Sequence, residues 1–239
     1  MEVIMKTVAV ILAAGSGSRM NADVKKQYMQ VGQKPLIYYS LKAFEESIID
    51  DIVLVVSRGD VEYTKKEIVE KYGFDKVVAV VEGGLARYHS VRLGLQAAAP
   101  DCDYAFIHDG ARPFVNRDII MRALSAVKEH KAAVVGMPAK DTIKIADDKG
   151  FAVETPDRNK TWTIQTPQVF AYKMILDLYQ RLDREEGELM AKGINITDDA
   201  MVVEYFSDTK VKLVEGSYDN IKITTPEDIA VAEAILSRK

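Results

Sequence analysis

The sequence predicts an α/β fold of three layers, in which helices cover both faces of a mostly parallel β-sheet. Short apolar runs alternate along the chain with longer amphipathic stretches. Runs that are apolar at nearly every position are typical of strands buried on both faces. Alternation of strand and helix favours parallel strands joined by right-handed crossovers. The 239 residues, 48% hydrophobic and 28% charged, fit a single globular domain over residues 1–239.

Five apolar runs supply the first predicted strands, and four amphipathic stretches supply the first helices. We expect the strands at residues 7–12, 52–56, 76–81, 104–107 and 132–137, and the helices at 35–46, 61–72, 86–98 and 117–130. In the first of these helices, apolar and small side chains recur at helical spacing on one side, as a core-facing helix requires. The arrangement is Rossmann-like, so a ligand is expected at the carboxyl ends of the strands.

The alternation breaks after Pro138, where the sequence predicts a β-hairpin. Residues 142–145 and 151–154 flank a polar turn that ends in Gly150. We therefore expect an inserted β-hairpin arm over residues 138–162. The elements expected after the arm are helices at 172–182 and 197–205, a strand at 210–214, and a final helix that begins at Pro226 behind the N-cap Thr225.

Charge and composition exclude several classes of protein. The net charge of −4 lacks the basic excess of a nucleic-acid binder, so no nucleic-acid partner is expected. The longest apolar run, residues 8–14, is far short of the roughly 20 residues that span a membrane, so no membrane association is expected. A single cysteine, Cys102, cannot form an intrachain disulfide. Because the N-terminus also lacks the pattern of a secretory signal, we expect a cytoplasmic protein.

The loop after the first predicted strand has the composition of an anion site. Gly15 and Gly17 let the backbone approach a ligand closely, and Arg19, Lys25 and Lys26 follow within a few residues. The spacing excludes a dinucleotide fingerprint and a P-loop, because the third glycine and the Gly-Lys-Ser/Thr sequence are missing. A polyphosphate ligand is the preferred interpretation, and a solvated loop with surface lysines is the alternative.

A series of motifs follows in order from Val8 to the last predicted helix. They are Leu12-Ala13-Ala14-Gly15-x-Gly17-x-Arg19-Met20 with Lys26-Gln27, Gly83-Gly84-x-x-Arg87-x-x-Ser90-Val91, His108-Asp109-Gly110-Ala111-Arg112-Pro113, Asp141-Thr142-Ile143-Lys144, Asp157-Arg158, Gln165-Thr166-Pro167-Gln168, Ile196-Thr197-Asp198-Asp199 and Asp219-Asn220-Ile221-Lys222-Ile223-Thr224. Together they resemble the 2-C-methyl-D-erythritol 4-phosphate cytidylyltransferase family, whose fold is like that of nucleotide-diphospho-sugar transferases. The resemblance implies transfer of CMP from CTP to 2-C-methyl-D-erythritol 4-phosphate, with release of pyrophosphate, in isoprenoid precursor biosynthesis.

The resemblance also assigns catalytic residues. The substrate's phosphate attacks the α-phosphorus of CTP, and both reactants are anions, so positioning and cationic groups supply most of the catalysis. Arg19 and Lys26 are implied to contact the triphosphate, and Arg158 and Lys222 to hold the attacking phosphate. That phosphate is already ionised near neutral pH, so the reaction needs no general base such as His108.

Further residues are implied to bind the reactants and a metal. The implied CTP-binding residues are Ala13, Ala14, Gly15, Gly17, Gly83, Gly84 and Ser90. The implied substrate-binding residues are Asp109, Arg112, Thr142 and Thr166. The implied cofactor is Mg²⁺ or another divalent cation, for which Asp109 is the first candidate ligand, because it follows a predicted strand, and Asp219 is the second.

The predicted arm has a further role by resemblance. In this family the arm interlocks with that of a second subunit, which implies a homodimer in which Thr142 and Arg158 reach the neighbouring active site. An isolated two-stranded hairpin is marginal in water, so the arm needs a partner surface. The alternative is an arm folded back on its own domain.

Two other functions remain open at this point. A cytidylyltransferase for ribitol 5-phosphate or another polyol phosphate would share the fold, the CTP loop and the metal. A non-catalytic nucleotide-sensing or scaffold protein would be expected to lack Arg19, Lys26 or Lys222, and all three are present. An assay of the purified protein with CTP and each polyol phosphate separates these possibilities.

Overall fold

A seven-stranded sheet lies at the centre of the protein in the computed structural model, which describes residues 5–15 and 25–238. The elements in chain order are β1 (Thr7–Ala13), β2 (Gln30–Val31), β3 (Lys34–Pro35), α1 (Leu36–Glu45), β4 (Asp51–Val56), α2 (Val61–Thr64, continued by the π-helical turns Lys65–Glu70), β5 (Val77–Glu82), α3 (Arg87–Gln96), β6 (Tyr104–Asp109), α4 (Arg117–His130), β7 (Ala132–Pro138), β8 (Ile145–Ala146), β9 (Ala152–Glu154), β10 (Trp162–Ala171), α5 (Tyr172–Ala191), α6 (Asp199–Phe206), β11 (Lys212–Glu215) and α7 (Pro226–Leu236). None of the described helices is long and apolar enough to cross a membrane.

The central sheet has the strand order β11-β7-β10-β6-β1-β4-β5. β1 pairs in parallel with β4 and β6, β4 with β5, and β7 with β11, whereas β10 runs antiparallel to both of its neighbours. The predicted mostly parallel, Rossmann-like sheet is therefore confirmed. Parallel strands end at the same edge, so the segments that follow β1, β5 and β6 lie together.

The antiparallel strand β10 was not predicted from the sequence. Pro167 lies within it, and a proline argues against an interior strand because it cannot donate a ladder hydrogen bond. The structure accommodates it by a bulge: Ile164 pairs with Gly136 and Gln168 with Val134, so the three residues of β10 between these pairs lie opposite a single residue of β7. Bulges of this kind redirect side chains and are frequent beside active sites.

Two apolar clusters cover the two faces of the sheet. Val8 and Val10 of β1 point into the cluster formed with α3, α5 and α6, while Ala9 and Ile11 point into the one formed with α1 and α4. These four residues are completely buried, which is why β1 is apolar at successive positions and not at alternate ones. A third cluster packs α7 against α1 and β2.

Two of the later helices, α7 and α5, can be compared with their predicted bounds. α7 begins at Pro226 as predicted, and the Asp228 carboxylate accepts the backbone N–H groups of Thr224 and Thr225 at 2.6 and 2.9 Å. α5 continues to Ala191, nine residues beyond the predicted end at residue 182. Its second half is highly charged and carries little apolar signal, although Leu189 is buried.

The arm is a hairpin, as predicted, but its strands are shorter than the sequence indicated. β8 and β9 pair antiparallel and form a sheet of their own. Three apolar side chains of the arm are exposed to solvent in a single chain. Ile145 is 45% exposed, Phe151 69% and Val153 63%.

Candidate active site

A cavity of about 460 Å³ opens at the carboxyl ends of β1 and β6. It is bounded by the loop after β1, the loop between β5 and α3, the end of β6, the turn that follows the predicted anion loop, and the segment before α7. Its described lining residues are Leu12, Ala13, Ala14, Gly15, Lys26, Gln27, Gly84, Leu85, Ala86, Arg87, Ser90, Asp109, Ala111, Lys222 and Thr224.

One wall of the cavity is made by small residues in close contact. A Cβ atom at Gly83 would lie 2.5 Å from the Cβ of Ala14 and 2.7 Å from the Oγ of Ser90. Only glycine fits at this position, so the loops after β1 and β5 approach one another at van der Waals distance. The result is a wall of backbone and small side chains that a flat ligand can approach closely.

The first turn of α3 fixes the loop that precedes it. The Ser90 hydroxyl accepts the backbone N–H of Gly84 at 3.1 Å and donates to the Ala86 carbonyl at 3.3 Å. The Nδ1 atom of His89 accepts the backbone N–H of Ala86 at 3.2 Å, so His89 carries its proton on Nε2, which donates to Glu186 at 3.0 Å. These bonds hold the loop before any ligand binds.

Three basic side chains form ion pairs with one carboxylate in the cavity, and a fourth lies beside them. Lys222 Nζ lies 2.8 Å from Asp109 Oδ2, and Arg87 Nε lies 3.5 Å from Asp109 Oδ1. Lys26 Nζ donates to the Ile223 carbonyl at 2.9 Å, one residue from Lys222. Arg112 Nε approaches the same carboxylate at 3.8 Å. Although the chain as a whole is acidic, the cavity therefore has a local cluster of basic groups, which an anionic ligand requires.

The surrounding cations keep Asp109 ionised. Burial by itself would raise the pKa of Asp109, but Arg87, Lys222 and Arg112 outweigh burial and hold this pKa well below its ordinary range. Asp109 therefore carries a full negative charge at any working pH. It is a candidate for an oxygen ligand of a divalent cation.

A buried network behind the cavity fixes the end of β6. The bulge of β10 turns Thr166 toward β6, where its hydroxyl accepts the Asp109 backbone N–H at 3.0 Å and lies 3.0 Å from His108 Nδ1. His108 Nε2 lies 3.1 Å from the Arg112 carbonyl, which can only accept. The proton of His108 is therefore on Nε2, and Nδ1 accepts from Thr166.

The acid stability of the fold should depend on His108. Burial lowers the pKa of His108 from 6.5 to about 4, so between these values the unfolded chain binds a proton that the folded chain does not. The free energy of unfolding should fall by about 3 kcal/mol as the pH is lowered through this window, with no contribution from His108 above about pH 7. In His108→Asn the amide oxygen can still accept from Thr166, and denaturant titrations from pH 7 to pH 4 should show a smaller loss. An unchanged loss in this variant would contradict the assignment.

Arg112 is held in place by the buried residue Asn220. Its Nη1 donates to the Asn220 carbonyl at 2.9 Å, and the Asn220 side chain donates to the Thr166 carbonyl at 2.9 Å. Asn220 is completely buried. The motifs around residues 109, 166 and 220 are therefore one connected structure that positions Asp109, Arg112 and Lys222.

The structure brings together most, but not all, of the residues predicted to act in the site. Eight line the cavity: Ala13, Ala14, Gly15, Lys26, Gly84, Ser90, Asp109 and Lys222. Gly83, Arg112 and Thr166 lie directly behind these residues, and the Thr166 hydroxyl is engaged internally. Gly17 and Arg19 lie outside the described residues, so their roles stay predictions.

Four other residues do not line this cavity in a single chain. Thr142 and Arg158 are exposed in the arm, where Arg158 Nη1 donates to the Lys140 carbonyl at 3.4 Å. Asp219 is exposed and is not among the lining residues, so its role as a metal ligand stays a prediction. Lys25, one of three cations in the predicted anion loop, pairs instead with Asp60 at 2.6 Å.

The sequence interpretation gave no role to Arg87 or Asp199. Both occur in the quoted motifs, but nothing in their spacing of 112 residues indicates that they touch. In the structure Arg87 lines the cavity and forms two parallel bonds of 2.7 Å with the carboxylate of Asp199. Two dissimilar sequence motifs thus each contribute one residue to the same ion pair.

The carboxylate in the cavity fits a magnesium ion that is held mainly by the phosphates of the bound reactants. Among residues 5–15 and 25–238, no three His, Cys, Asp or Glu side chains come together as a metal site. Mg²⁺ usually binds through one or two protein carboxylates and completes its shell with substrate phosphates and water. Asp109, ionised and facing the cavity, supplies such a carboxylate.

The fold and the site define an α/β protein with a cavity, lined by basic and small residues and suited to a phosphorylated ligand, at the carboxyl edge of a mostly parallel sheet. Comparison with known proteins narrows this class. The family model of 2-C-methyl-D-erythritol 4-phosphate cytidylyltransferase (IspD) matches residues 7–238. The chain belongs to this family.

Individual relatives agree with the family match. Proteins named 2-C-methyl-D-erythritol 4-phosphate cytidylyltransferase from Lachnoclostridium phytofermentans and Alkaliphilus oremlandii are 49% and 48% identical to this chain. The alignments cover 97% and 100% of this chain and 96% and 98% of the relatives. The crystal structure of 4-diphosphocytidyl-2C-methyl-D-erythritol synthase from Anaerococcus prevotii superposes with a TM-score of 0.83 at 37% identity, covering 98% of this chain and 97% of that one.

Proposed function

We propose that this protein transfers CMP from CTP to 2-C-methyl-D-erythritol 4-phosphate, giving 4-diphosphocytidyl-2-C-methyl-D-erythritol and pyrophosphate, in the cytoplasm. The observation that carries the proposal is the family match over residues 7–238. The cavity supports it independently, because it presents a small-residue wall, three basic side chains and one ionised carboxylate at the expected edge of the sheet.

The reaction joins two anions, and the cavity supplies the charge that this requires. An oxygen of the substrate's phosphate bonds to the α-phosphorus of CTP, while the bond from that phosphorus to the bridging oxygen breaks and pyrophosphate leaves. Lys26 and Lys222 meet these phosphates, with Arg19 from the sequence motif. A preorganised cation lowers the barrier where negative charge develops, and it needs no covalent intermediate or general base.

The wall of small residues is the proposed site of the cytosine base. Ala14, Gly83 and Gly84 bring backbone groups within reach of a flat ring, and the Gly84 loop is held by Ser90 and His89. Backbone N–H and carbonyl groups can read the donor and acceptor edge of a base without side-chain motion. Asp109 would hold Mg²⁺, which would neutralise phosphate charge.

We also propose that the arm completes the active site of a second subunit in a homodimer. Its exposed Ile145, Phe151 and Val153 form an apolar surface that a two-stranded hairpin cannot bury by itself. Thr142 and Arg158 extend from this arm and do not line the cavity of their own chain. Arginine is suited to bidentate capture of a phosphate, so Arg158 is proposed to hold the attacking phosphate across the dimer.

Mixed dimers should recover activity if the arm serves the partner. Arg158→Ala and Lys26→Ala homodimers should both be inactive. After subunit exchange, one site of each heterodimer combines an intact Arg158 with an intact Lys26, while the other site carries both defects. Pyrophosphate release should therefore rise toward half of the wild-type rate per heterodimer.

The matched control pairs two residues of the same cavity. Lys26 and Lys222 line one site of one chain, so heterodimers of Lys26→Ala and Lys222→Ala carry one defect in every site and should stay inactive. If the Arg158→Ala mixture also stays inactive, with heterodimers demonstrated by tagged subunits, then Arg158 serves its own chain.

A substrate panel tests the proposed function itself. Pyrophosphate release should be measured with CTP, UTP, ATP or GTP against 2-C-methyl-D-erythritol 4-phosphate, and with CTP against ribitol 5-phosphate. We expect release that requires CTP and is fastest with the methylerythritol phosphate. Faster turnover of ribitol 5-phosphate would reassign the acceptor, and nucleotide binding without turnover of any acceptor would indicate a non-catalytic protein.

A further inference from the structure

A buried ion pair reaches the cavity from the side of the sheet that α5 and α6 cover. Asp199, the first residue of α6, is completely buried. Both of its carboxylate oxygens accept hydrogen bonds from Arg87, from Nη1 and Nη2, at 2.7 Å each. This bidentate geometry is the strongest and most directional form of a salt bridge.

The pair leaves only one part of the Arg87 guanidinium to act elsewhere. With Nη1 and Nη2 bonded to Asp199, the Nε side lies 3.5 Å from Asp109 Oδ1. The side chain of Arg87 is 29% exposed toward the cavity, whereas that of Asp199 is not exposed at all. Asp199 thus fixes the Nη1 and Nη2 atoms of Arg87, and the Nε side of the guanidinium faces Asp109.

Asp199 is itself fixed by neighbours that have no contact with the cavity. The buried Tyr179 hydroxyl of α5 donates to Asp199 Oδ1. The Gln168 side chain, just beyond the β10 bulge, accepts the backbone N–H of Ala200 at 2.8 Å and donates to Asp198 at 3.0 Å. Asp199 is therefore held at its carboxylate, and the residues on either side of it are held by Gln168.

We propose that Asp199 and Arg87 are positioning residues for Asp109: Asp199 orients Arg87, and Arg87 orients the Asp109 carboxylate toward the ligand. The inference rests on the proposed function and assigns two residues to its site. Lys222 holds the other oxygen of Asp109, Oδ2, at 2.8 Å, so Arg87 and Lys222 fix the carboxylate plane from its two ends. The charges of Arg87 and Asp199 nearly cancel, so orientation is the main contribution of the pair.

A purely structural clamp would give different results from a positioning pair. Arg92 and Asp183 offer the comparison, because their salt bridge also anchors α3, in this case to α5, with Nε and Oδ1 3.1 Å apart, and neither residue lines the cavity. Loss of that salt bridge releases α3 from a neighbouring helix without changing any residue of the cavity. Asp183→Asn should therefore keep kcat within about twofold of wild type, as expected for a partly exposed pair.

The first test is a double-mutant cycle with Asp109. Arg87→Ala should lower kcat by about 10- to 100-fold, the usual range for residues that orient a metal ligand. If Arg87 acts through Asp109, adding Arg87→Ala to Asp109→Asn should cost less than about twofold more. Independent, multiplying effects would overturn the proposal, as would wild-type kcat in Arg87→Ala.

The second test restores the missing group chemically. Arg87→Ala leaves a space that opens to the cavity, so 50 mM guanidinium chloride should raise its kcat several-fold over the same concentration of NaCl. Asp199→Asn keeps the shape of the side chain but loses the carboxylate that anchors the ion, so the double variant Arg87→Ala/Asp199→Asn should not respond. An equal response in both variants would overturn the role of Asp199.

A binding measurement separates this inference from the proposed function. Calorimetric titration with CTP and Mg²⁺ should show weaker binding to Arg87→Ala than to wild type, with recovery in guanidinium and no recovery in the double variant. If wild type binds CTP but transfers no CMP to the methylerythritol phosphate, the proposed function fails while this comparison still holds. Unchanged CTP and Mg²⁺ binding in a folded Arg87→Ala protein would reject the positioning role.

Discussion

Replacing Lys26 with alanine should lower kcat/KM by at least about a hundredfold. Lys26 lies at the cavity, where its Nζ is held by the Ile223 carbonyl at 2.9 Å beside Lys222. Removing one preorganised donor from the site where charge develops costs roughly 10²- to 10³-fold in other enzymes. Initial rates of pyrophosphate release at varied CTP and acceptor concentrations measure the effect.

The neighbouring lysine is the matched control for this experiment. Lys25 precedes Lys26 in the chain, but its Nζ pairs with Asp60 at 2.6 Å and it does not line the cavity. Lys25→Ala should keep kcat/KM within about twofold, since partly exposed ion pairs contribute little. Near-normal turnover of Lys26→Ala at saturating substrates, or an equal loss in Lys25→Ala, would contradict the assignment.

Replacing Asp109 with asparagine should have the second large effect. An amide is a poor ligand for Mg²⁺, so activity should need at least about tenfold more Mg²⁺ for half-saturation, and kcat should fall by about a hundredfold. The same change removes the charge that Arg87, Lys222 and Arg112 share. Magnesium titrations at fixed CTP, with thermal melts to establish folding, measure both consequences.

Asp219→Asn distinguishes between the two predicted metal ligands. Asp219 is exposed and does not line the cavity in a single chain. If Asp109 is the principal ligand, Asp219→Asn should shift the magnesium titration much less than Asp109→Asn. An unchanged titration in Asp109→Asn, with a shift in Asp219→Asn, would move the metal to Asp219.

The sequence predicted the elements whose signal is local. β1 and α4 match almost residue for residue, because β1 is buried on both faces and α4 has a clear amphipathic stripe behind its N-cap Asn116. The glycine loop and the strand-end aspartate were recognised for the same reason. Chemistry carried by neighbouring residues can be seen without knowledge of the fold.

The sequence could not predict the features that depend on distant pairing. β10 was missed because Pro167 interrupts it, and its bulge becomes visible only when β7 supplies a register. Arg87 and Asp199 were missed because their contact is made by the packing of α3 against α5 and α6. Thr142 and Arg158 were assigned from the sequence resemblance, but a single chain does not show their proposed site, because that site belongs to a second subunit.

The most direct test of the account is a competition for CTP between two acceptors. Equimolar 2-C-methyl-D-erythritol 4-phosphate and ribitol 5-phosphate should be incubated with CTP labelled at the α-phosphorus and Mg²⁺, and the labelled products separated. We expect the label almost entirely in 4-diphosphocytidyl-2-C-methyl-D-erythritol, with one pyrophosphate released per labelled product. Label in the ribitol product, or in free CMP whether or not an acceptor is present, would contradict the proposed reaction.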